Sequence, residues 1–240
     1  MCRMMLYISK EKDVISKKYT DAFVKIAKDG LSKKCNMGPH GDGYGIVFMK
    51  GEEVMLYKST RPIWESGVPA IPANLILIHA RKKSKGSKSI RNIHPFILND
   101  LILAHNGNIH LFNKKPNLYK PHGETDSETL AALLAEEYHF TENVLVAIKN
   151  IIDFVESFTA LNLIVISLRE LKAIVVNLYN VYPVNCNKYY VMWLKKEGDT
   201  IIISSEPLDQ EDWMPLSTER EKLVIVEIPL YDIRRYTIFS

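Results

Sequence analysis

The chain opens Met1-Cys2-Arg3-Met4-Met5-Leu6-Tyr7-Ile8, and the short apolar run from Arg3 to Ile8 reads as a first strand with Cys2 at its very start. Removal of Met1, which a small second residue permits, exposes a thiol and a free α-amine on the same residue. An α-amine titrates at about 7.7 to 8.0 and a thiol near about 8.5, so moving a proton between them costs on the order of 1 kcal/mol. The amine can then activate the thiol directly or through one water. Taken alone, three residues fit an incidental cysteine after a start methionine better than a nucleophile, so the rest of the chain has to decide.

At 240 residues, 47% of them hydrophobic and 25% charged, the composition is that of a globular protein with a sizeable core, expected here as one domain over residues 1–240. The net charge of +3, from 31 basic and 28 acidic residues, is too balanced to imply a nucleic-acid partner. The run Arg81, Lys82, Lys83, Lys85, Lys88, Arg91 is locally basic and reads as a solvated loop unless an anion claims it. Cys2, Cys35 and Cys186 form no paired framework and no Cys-x-x-Cys, so Cys35 and Cys186 are expected as packed thiols in a reducing, cytoplasmic setting. Six charged residues between Lys10 and Lys18 leave no apolar core for a signal peptide, and no apolar run reaches the ~18 residues of a membrane span.

Working outward from the first strand, Asp13 to Leu31 carries apolar residues at helical spacing and stops near Gly30. The glycine-rich loop from Asn36 to Gly45 lacks the Gly-Lys-Ser/Thr of a phosphate loop, and a hairpin with strands 44–49 and 53–57 follows it. Leu75 to Arg81 and Leu101 to His105 read as buried strands that end in polar residues, the second running into Asn106-Gly107-Asn108. Thr125 and Glu128 fit a capping box before a helix over 129–138, and 141–158 reads as a second helix. Strands are then expected at 163–168, 173–178, 189–194, 200–204 and 223–228, with connections that favour antiparallel pairing.

Four motifs follow Cys2 in order: His79-Ala80-Arg81 with Ser84 and Gly86; His94-Pro95-Phe96 with Ala104-His105-Asn106-Gly107; Thr125-Asp126-Ser127-Glu128; and Ser204-Ser205-Glu206-Pro207-Leu208. In this order and spacing the chain resembles the class II glutamine amidotransferases, members of the N-terminal nucleophile (Ntn) hydrolases. The resemblance implies an α+β fold, a four-layer αββα sandwich of two antiparallel sheets between helical layers. It implies that Cys2 attacks the amide of glutamine, releasing ammonia and leaving a γ-glutamyl thioester for water to cleave. Asn106 and Gly107 correspond to the oxyanion donors, although an Asn-Gly pair by itself reads as a hairpin turn. Arg81 corresponds to the residue gripping the substrate α-carboxylate, Ser84 stands near the same group, and Asp126 corresponds to the partner of the α-ammonium. For Asp126 the simpler account is a favourable carboxylate in a first helical turn.

His79, His94 and His105 lack a metal-binding spacing, so no metal and no cofactor are expected, and the histidines are read as structural hydrogen-bonding groups around the pocket. Lys82-Lys83-Ser84-Lys85 is more basic than the family pattern, which points to substrates beyond free glutamine. Arg3 after the cysteine resembles a stand-alone subgroup that includes hydrolases of γ-glutamyl amides in thiol metabolism. The expected partner is therefore glutamine or a γ-glutamyl small molecule, with no room in the chain for a fused acceptor domain. Two alternatives stand beside this reading: a glutaminase subunit feeding ammonia to a separate synthase, and a non-catalytic amino-acid sensor that retains Met1.

Overall fold

In the computed structural model, residues 2–10, 15–31, 35, 38–111, 114–180, 186, 188–230 and 237–239 are described. The first strand, β1 (Arg3–Ser9), is buried along its whole length because it has a strand on each side and a layer on each face. It sits in a seven-stranded antiparallel sheet ordered β13 (Met214–Pro215), β11 (Trp193–Glu197), β12 (Thr200–Ser204), β1, β4 (Leu75–Ala80), β2 (Tyr44–Lys50), β3 (Glu53–Ser59). A six-stranded antiparallel sheet is ordered β15 (Thr237–Phe239), β14 (Val224–Pro229), β10 (Lys172–Asn177), β9 (Asn162–Ser167), β6 (Leu101–Asn106), β5 (Phe96–Leu98). A small two-stranded sheet pairs β7 (Ile109–Leu111) with β8 (Val155–Phe158).

Side chains alternate across each strand, and that alternation builds the layers. Met4, Leu6 and Ile8 of β1 meet Ile102, Ala104, Ile164 and Ile166 of the other sheet in a core between the two sheets. Met5 and Tyr7 point the other way, onto Phe23, Ile26 and Ala27 of α1 (Lys17–Asp29), with the one-turn helix α2 (Ile63–Ser66) beside it. On the far side, Leu103, Val165 and Val176 pack against Leu130, Leu134 and Ile148 of α3 (Asp126–Thr141) and α4 (Val144–Asp153). The order is therefore helix, sheet, sheet, helix pair, as the resemblance implied. Among the described residues no helix is long and apolar enough to cross a membrane.

Several local expectations are corrected. The helix expected over 141–158 ends at Asp153, and Val155–Phe158 forms β8, whose backbone is satisfied by β7 from a distant part of the chain. The strand expected at 189–194 begins only at Trp193; Tyr189 and Tyr190 lie in a turn inside an aromatic cluster. The capping box is half formed: Thr125 accepts from the Glu128 N–H, whereas the Glu128 carboxylate turns to the N–H groups of His122 and Gly123. The N-terminal part of the helix expected from Asp13 lies in part outside the described residues.

The largest correction concerns the cysteines. Cys35 and Cys186 are not packed thiols but a disulfide, with Cα atoms 5.9 Å apart and 151 residues between them in sequence. The two meet only because the segments after α1 and before β11 pack together, which no spacing rule reveals. The cysteine count is thereby removed as an argument for a reducing compartment.

Ile164 is fully buried between the two sheets. Ile164→Ala is expected to cost about 2–5 kcal/mol, read as a lower urea midpoint with an unchanged slope.

Candidate active site

Cys2 leads into β1, where the edge of the inter-sheet core meets the ends of β4 and β6. Its backbone N–H donates to Asn106 Oδ1 at 2.7 Å, and its Sγ lies 3.7 Å from the Lys82 carbonyl oxygen. Cys2 is a free, buried thiol. With Asn106 Oδ1 occupied by the Cys2 nitrogen, the amide orientation leaves Nδ2 as the donor end.

The position of Cys2 is set from beneath by Arg3. Its guanidinium is fully buried, ion-paired through Nε with Glu206 Oε1 at 2.7 Å, and stacked over the Tyr189 ring at 4.0 Å. Nη1 donates to the Cys2 carbonyl at 3.3 Å and to the Tyr189 carbonyl at 3.4 Å. Glu206 also accepts from the Leu31 N–H just after α1. Ser205 continues the β1 ladder by exchanging hydrogen bonds with Met4. Behind Tyr189, buried His40 is held neutral: burial and the nearby Arg3 charge push its imidazole well below its ordinary range. In that form Nδ1–H donates to the Ala27 carbonyl at 3.1 Å and Nε2 accepts from the Tyr189 hydroxyl at 3.2 Å.

Asn106 and Gly107 do not close a hairpin. β6 pairs with β5 and β9, while β7 departs to pair with β8. Gly107 has φ +152°, and a Cβ there would sit 1.8 Å from the Ala160 carbonyl oxygen, so the backbone passes where no side chain fits. This places the Gly107 backbone beside Cys2 at the cleft.

Arg81, Ser84 and Asp126 line the same cleft as Cys2 and Gly107. The buried Arg81 guanidinium donates Nη1 to the Ser87 carbonyl at 3.0 Å and Nη2 to the Lys85 carbonyl at 2.7 Å, so the basic loop wraps around it. Ser84 Oγ hydrogen-bonds Asn108 Oδ1. Asp126 opens α3; its oxygens accept from the Ile109 and Ser127 N–H groups, each at 3.0 Å. The carboxylate is thus aimed by backbone donors, with no cationic partner among the described residues.

Buried His94 and His105 line the cleft, and buried His79 packs against His94. Burial pushes His79 down to about 3, His94 well below its ordinary value and His105 in the same direction, so all three are neutral. His79 Nε2–H donates to the His105 carbonyl at 3.3 Å; His105 donates to the Ala160 carbonyl at 3.2 Å and accepts from Ser127 Oγ at 2.8 Å. His94 departs from the expectation of hydrogen bonding: among the described residues both ring nitrogens lack a partner, and the ring packs against His79 (4.1 Å) and edge-on to Phe96 (4.5 Å). Sequence reasoning singled out the cleft residues but not His40 or Tyr189. They stand 149 residues apart and carry no motif that links them.

Residues 16–162 match the model of the class-II glutamine amidotransferases. That span includes Arg81, Asn106, Gly107 and Asp126; Cys2 precedes it. A candidate glutamine amidotransferase of Haemophilus influenzae is 32% identical over 108 residues, covering 40% of this chain and 37% of its own length. YafJ, a candidate glutamine amidotransferase of Escherichia coli K12, is 29% identical over 102 residues, covering 38% and 40%. The matched stretch thus spans well under half of these relatives. Among solved structures, the glutamine phosphoribosylpyrophosphate amidotransferase of B. subtilis superposes with a TM-score of 0.63 at 17% identity, covering 100% of this chain and 49% of that one. A predicted glutamine amidotransferase of Pseudomonas aeruginosa gives 0.56 at 18%, covering 93% and 95%. At these identities the superpositions show a shared fold.

Two outcomes follow from the site's construction. Glu206→Ala leaves the Arg3 charge buried and unpaired, so urea unfolding is expected to show a loss of about 3–5 kcal/mol, much of it regained in Arg3→Met/Glu206→Met. The depressed histidines bind protons in the unfolded chain before the folded one. Their contribution to stability is therefore complete above the unfolded value of 6.5 and lost as the pH falls toward the folded value, about 3 for His79. Denaturation midpoints should drop from pH 7 to pH 4, with a shallower drop in His79→Phe if that variant folds.

Proposed function

The chain belongs to the class II glutamine amidotransferases, and on that premise we propose that it hydrolyses the γ-amide of glutamine or of a γ-glutamyl compound, with Cys2 as nucleophile after loss of Met1. The observation that carries the reading is the Cys2 nitrogen held 2.7 Å from Asn106 Oδ1, in a cleft that also presents Gly107, Arg81 and Asp126.

The chemistry needs only groups already in place. Once Met1 is gone, the nitrogen that now donates to Asn106 becomes the α-amine; the hydrogen bond keeps it beside its own thiol, whose proton it accepts. The thiolate adds to the amide carbon. The new oxyanion is met by Asn106 Nδ2 and the Gly107 N–H, donors of a kind worth about 2.7–4 kcal/mol each. Collapse returns the amine's proton to the departing nitrogen, which leaves as ammonia, or as the amine of a γ-glutamyl compound. Water, deprotonated by the freed α-amine, cleaves the thioester to glutamate and restores the thiol.

Recognition divides between the two sides of the cleft. Arg81 gives two N–H groups to loop carbonyls and keeps the others for the α-carboxylate, beside which Ser84 stands. Asp126, oriented by two backbone N–H groups, takes the α-ammonium. Exposed Lys83 and Lys85 at the lip favour substrates larger and more anionic than glutamine itself. Transfer of ammonia to a separate synthase uses the same steps. A partner that raises the glutaminase rate would mark it.

The test is intact mass before and after exposure to a diazo-ketone analogue of glutamine. Loss of Met1 and one adduct mapping to Cys2 are expected, with glutaminase and γ-glutamyl amidase rates abolished in Cys2→Ala. Asn106→Ala should lower kcat by about 10²–10³ with little change in KM. Retained Met1 without an adduct would favour the sensor, and unchanged rates in Cys2→Ala would sink the nucleophile.

A further inference from the structure

A second concavity lies on the other side of the His94–Phe96 wall, away from Cys2. It runs across the outer strands of both sheets, β3 of the seven-stranded one and β5 of the six-stranded one, and is closed by the turn at Ile90–Asn92 and the segment 118–122. Two features of its lining are costly in a surface that meets only water. Four aliphatic side chains face it more than a third exposed: Leu56 at 39%, Ile90 at 47%, Ile97 at 38% and Leu118 at 52%. Gathered around one concavity, these side chains give it the apolar lining of a ligand pocket.

The second feature is an excess of cationic charge. Lys58 emerges from β3 on the same face as Leu56, with its Nζ 5.2 Å from the centre of the Phe96 ring. Among the described residues its ammonium has no hydrogen-bond or ion-pair partner, and burial pushes it down to about 8. The nearby carboxylate, Glu128, attracts Lys58 but forms no ion pair with it, its oxygens accepting instead from the His122 N–H at 2.9 Å and the Gly123 N–H at 2.5 Å. Arg91 and Lys120 add cations to the rim, again without an ion pair among the described residues. A half-desolvated ammonium is favourable when an anion joins it and unfavourable when left alone.

We propose that this groove is a binding site for an amphipathic organic anion, its acidic head on Lys58 and its apolar body along Leu56, Ile97 and Leu118. The charge pattern selects this occupant over a purely apolar one, because three cations without an ion pair among the described residues stand around the aliphatic walls against one carboxylate, Glu128. The site is separate from the chemistry at Cys2 and does not depend on it. It still shares a wall with the cleft, since Phe96 touches His94, and Glu128 stands two residues beyond Asp126 in the first turn of α3.

Fluorescence titration with anilinonaphthalene sulfonate, and with phenylnaphthylamine as its uncharged counterpart, tests the assignment on the full chain. The sulfonate should bind saturably at one site, weaken as salt is raised, and lose at least about tenfold in affinity in Lys58→Met, the scale of one charge contact in a partly desolvated site. Leu118→Asp should weaken it as well. The uncharged dye should bind less tightly and ignore Lys58→Met, and Lys58→Gln repeats the test should the methionine variant misfold. Equal binding of the two dyes, or sulfonate affinity unchanged by both lysine variants, would overturn the proposal. So would a concentration-dependent dimer that excludes the dye and is dissolved by Leu118→Asp, since the face would then be a contact between copies of the chain.

Discussion

The buried charge of Arg3 is the constraint on which the arrangement around Cys2 depends. A guanidinium with no access to water has to find its partners inside the fold, and each of its partners belongs to a different part of the chain. Glu206 follows β12, Tyr189 lies in the turn before β11, and the Leu31 N–H that shares Glu206 follows α1. Pairing one side chain therefore draws three remote segments together beneath the strand that carries the proposed nucleophile. The same guanidinium holds the Cys2 carbonyl, so the residue is fixed from its own backbone while Asn106 holds its nitrogen.

The cleft forms where regular structure ends. β4 runs out into Arg81, β6 into Asn106, and α3 begins at Asp126, and at each of these ends backbone groups are left over for purposes other than ladders. Asp126 is aimed by such N–H groups, and Arg81 is steadied by the carbonyls of the loop that follows it. Beneath them the histidines are neutral because they are buried, so the floor contributes shape and directed hydrogen bonds without adding positive charge next to the thiol.

His94 and Phe96 form a partition between two concavities of opposite character. On one side Arg81, Asp126 and His105 are held by hydrogen bonds around a small cleft. On the other, aliphatic side chains and cations stand exposed across the outer strands of both sheets, where a sheet has no further strand to cover them. Outer strands supply this second surface for the same reason that strand ends supply the first: both are places where the repeating pattern of the sheet stops.

Much of this was legible in the sequence. Unbroken apolar runs placed β1, β2, β4, β6 and β9 closely, because a strand buried on both faces writes that burial into every residue. The cleft residues could be singled out because Cys2, Arg81, Asn106-Gly107 and Asp126 fall in motifs whose order and spacing resemble those of the family. Other features could not be read this way. Residues 155–158 have a helix-compatible pattern and become a strand only because Ile109–Leu111 offers a ladder. Asn106-Gly107 looks like a hairpin turn until β7 is seen to pair elsewhere. Cys35 and Cys186 are paired by the packing of loops 151 residues apart, and Arg3, Glu206, His40 and Tyr189 are joined by contacts of similar range. Local pattern and residue type set the elements, the packing of helices against sheets and the chemical groups available, and the family resemblance supplied the order of the four layers. Tertiary structure alone decided which of those groups face one another, because burial makes distant polar groups satisfy each other and local pattern carries no record of that choice.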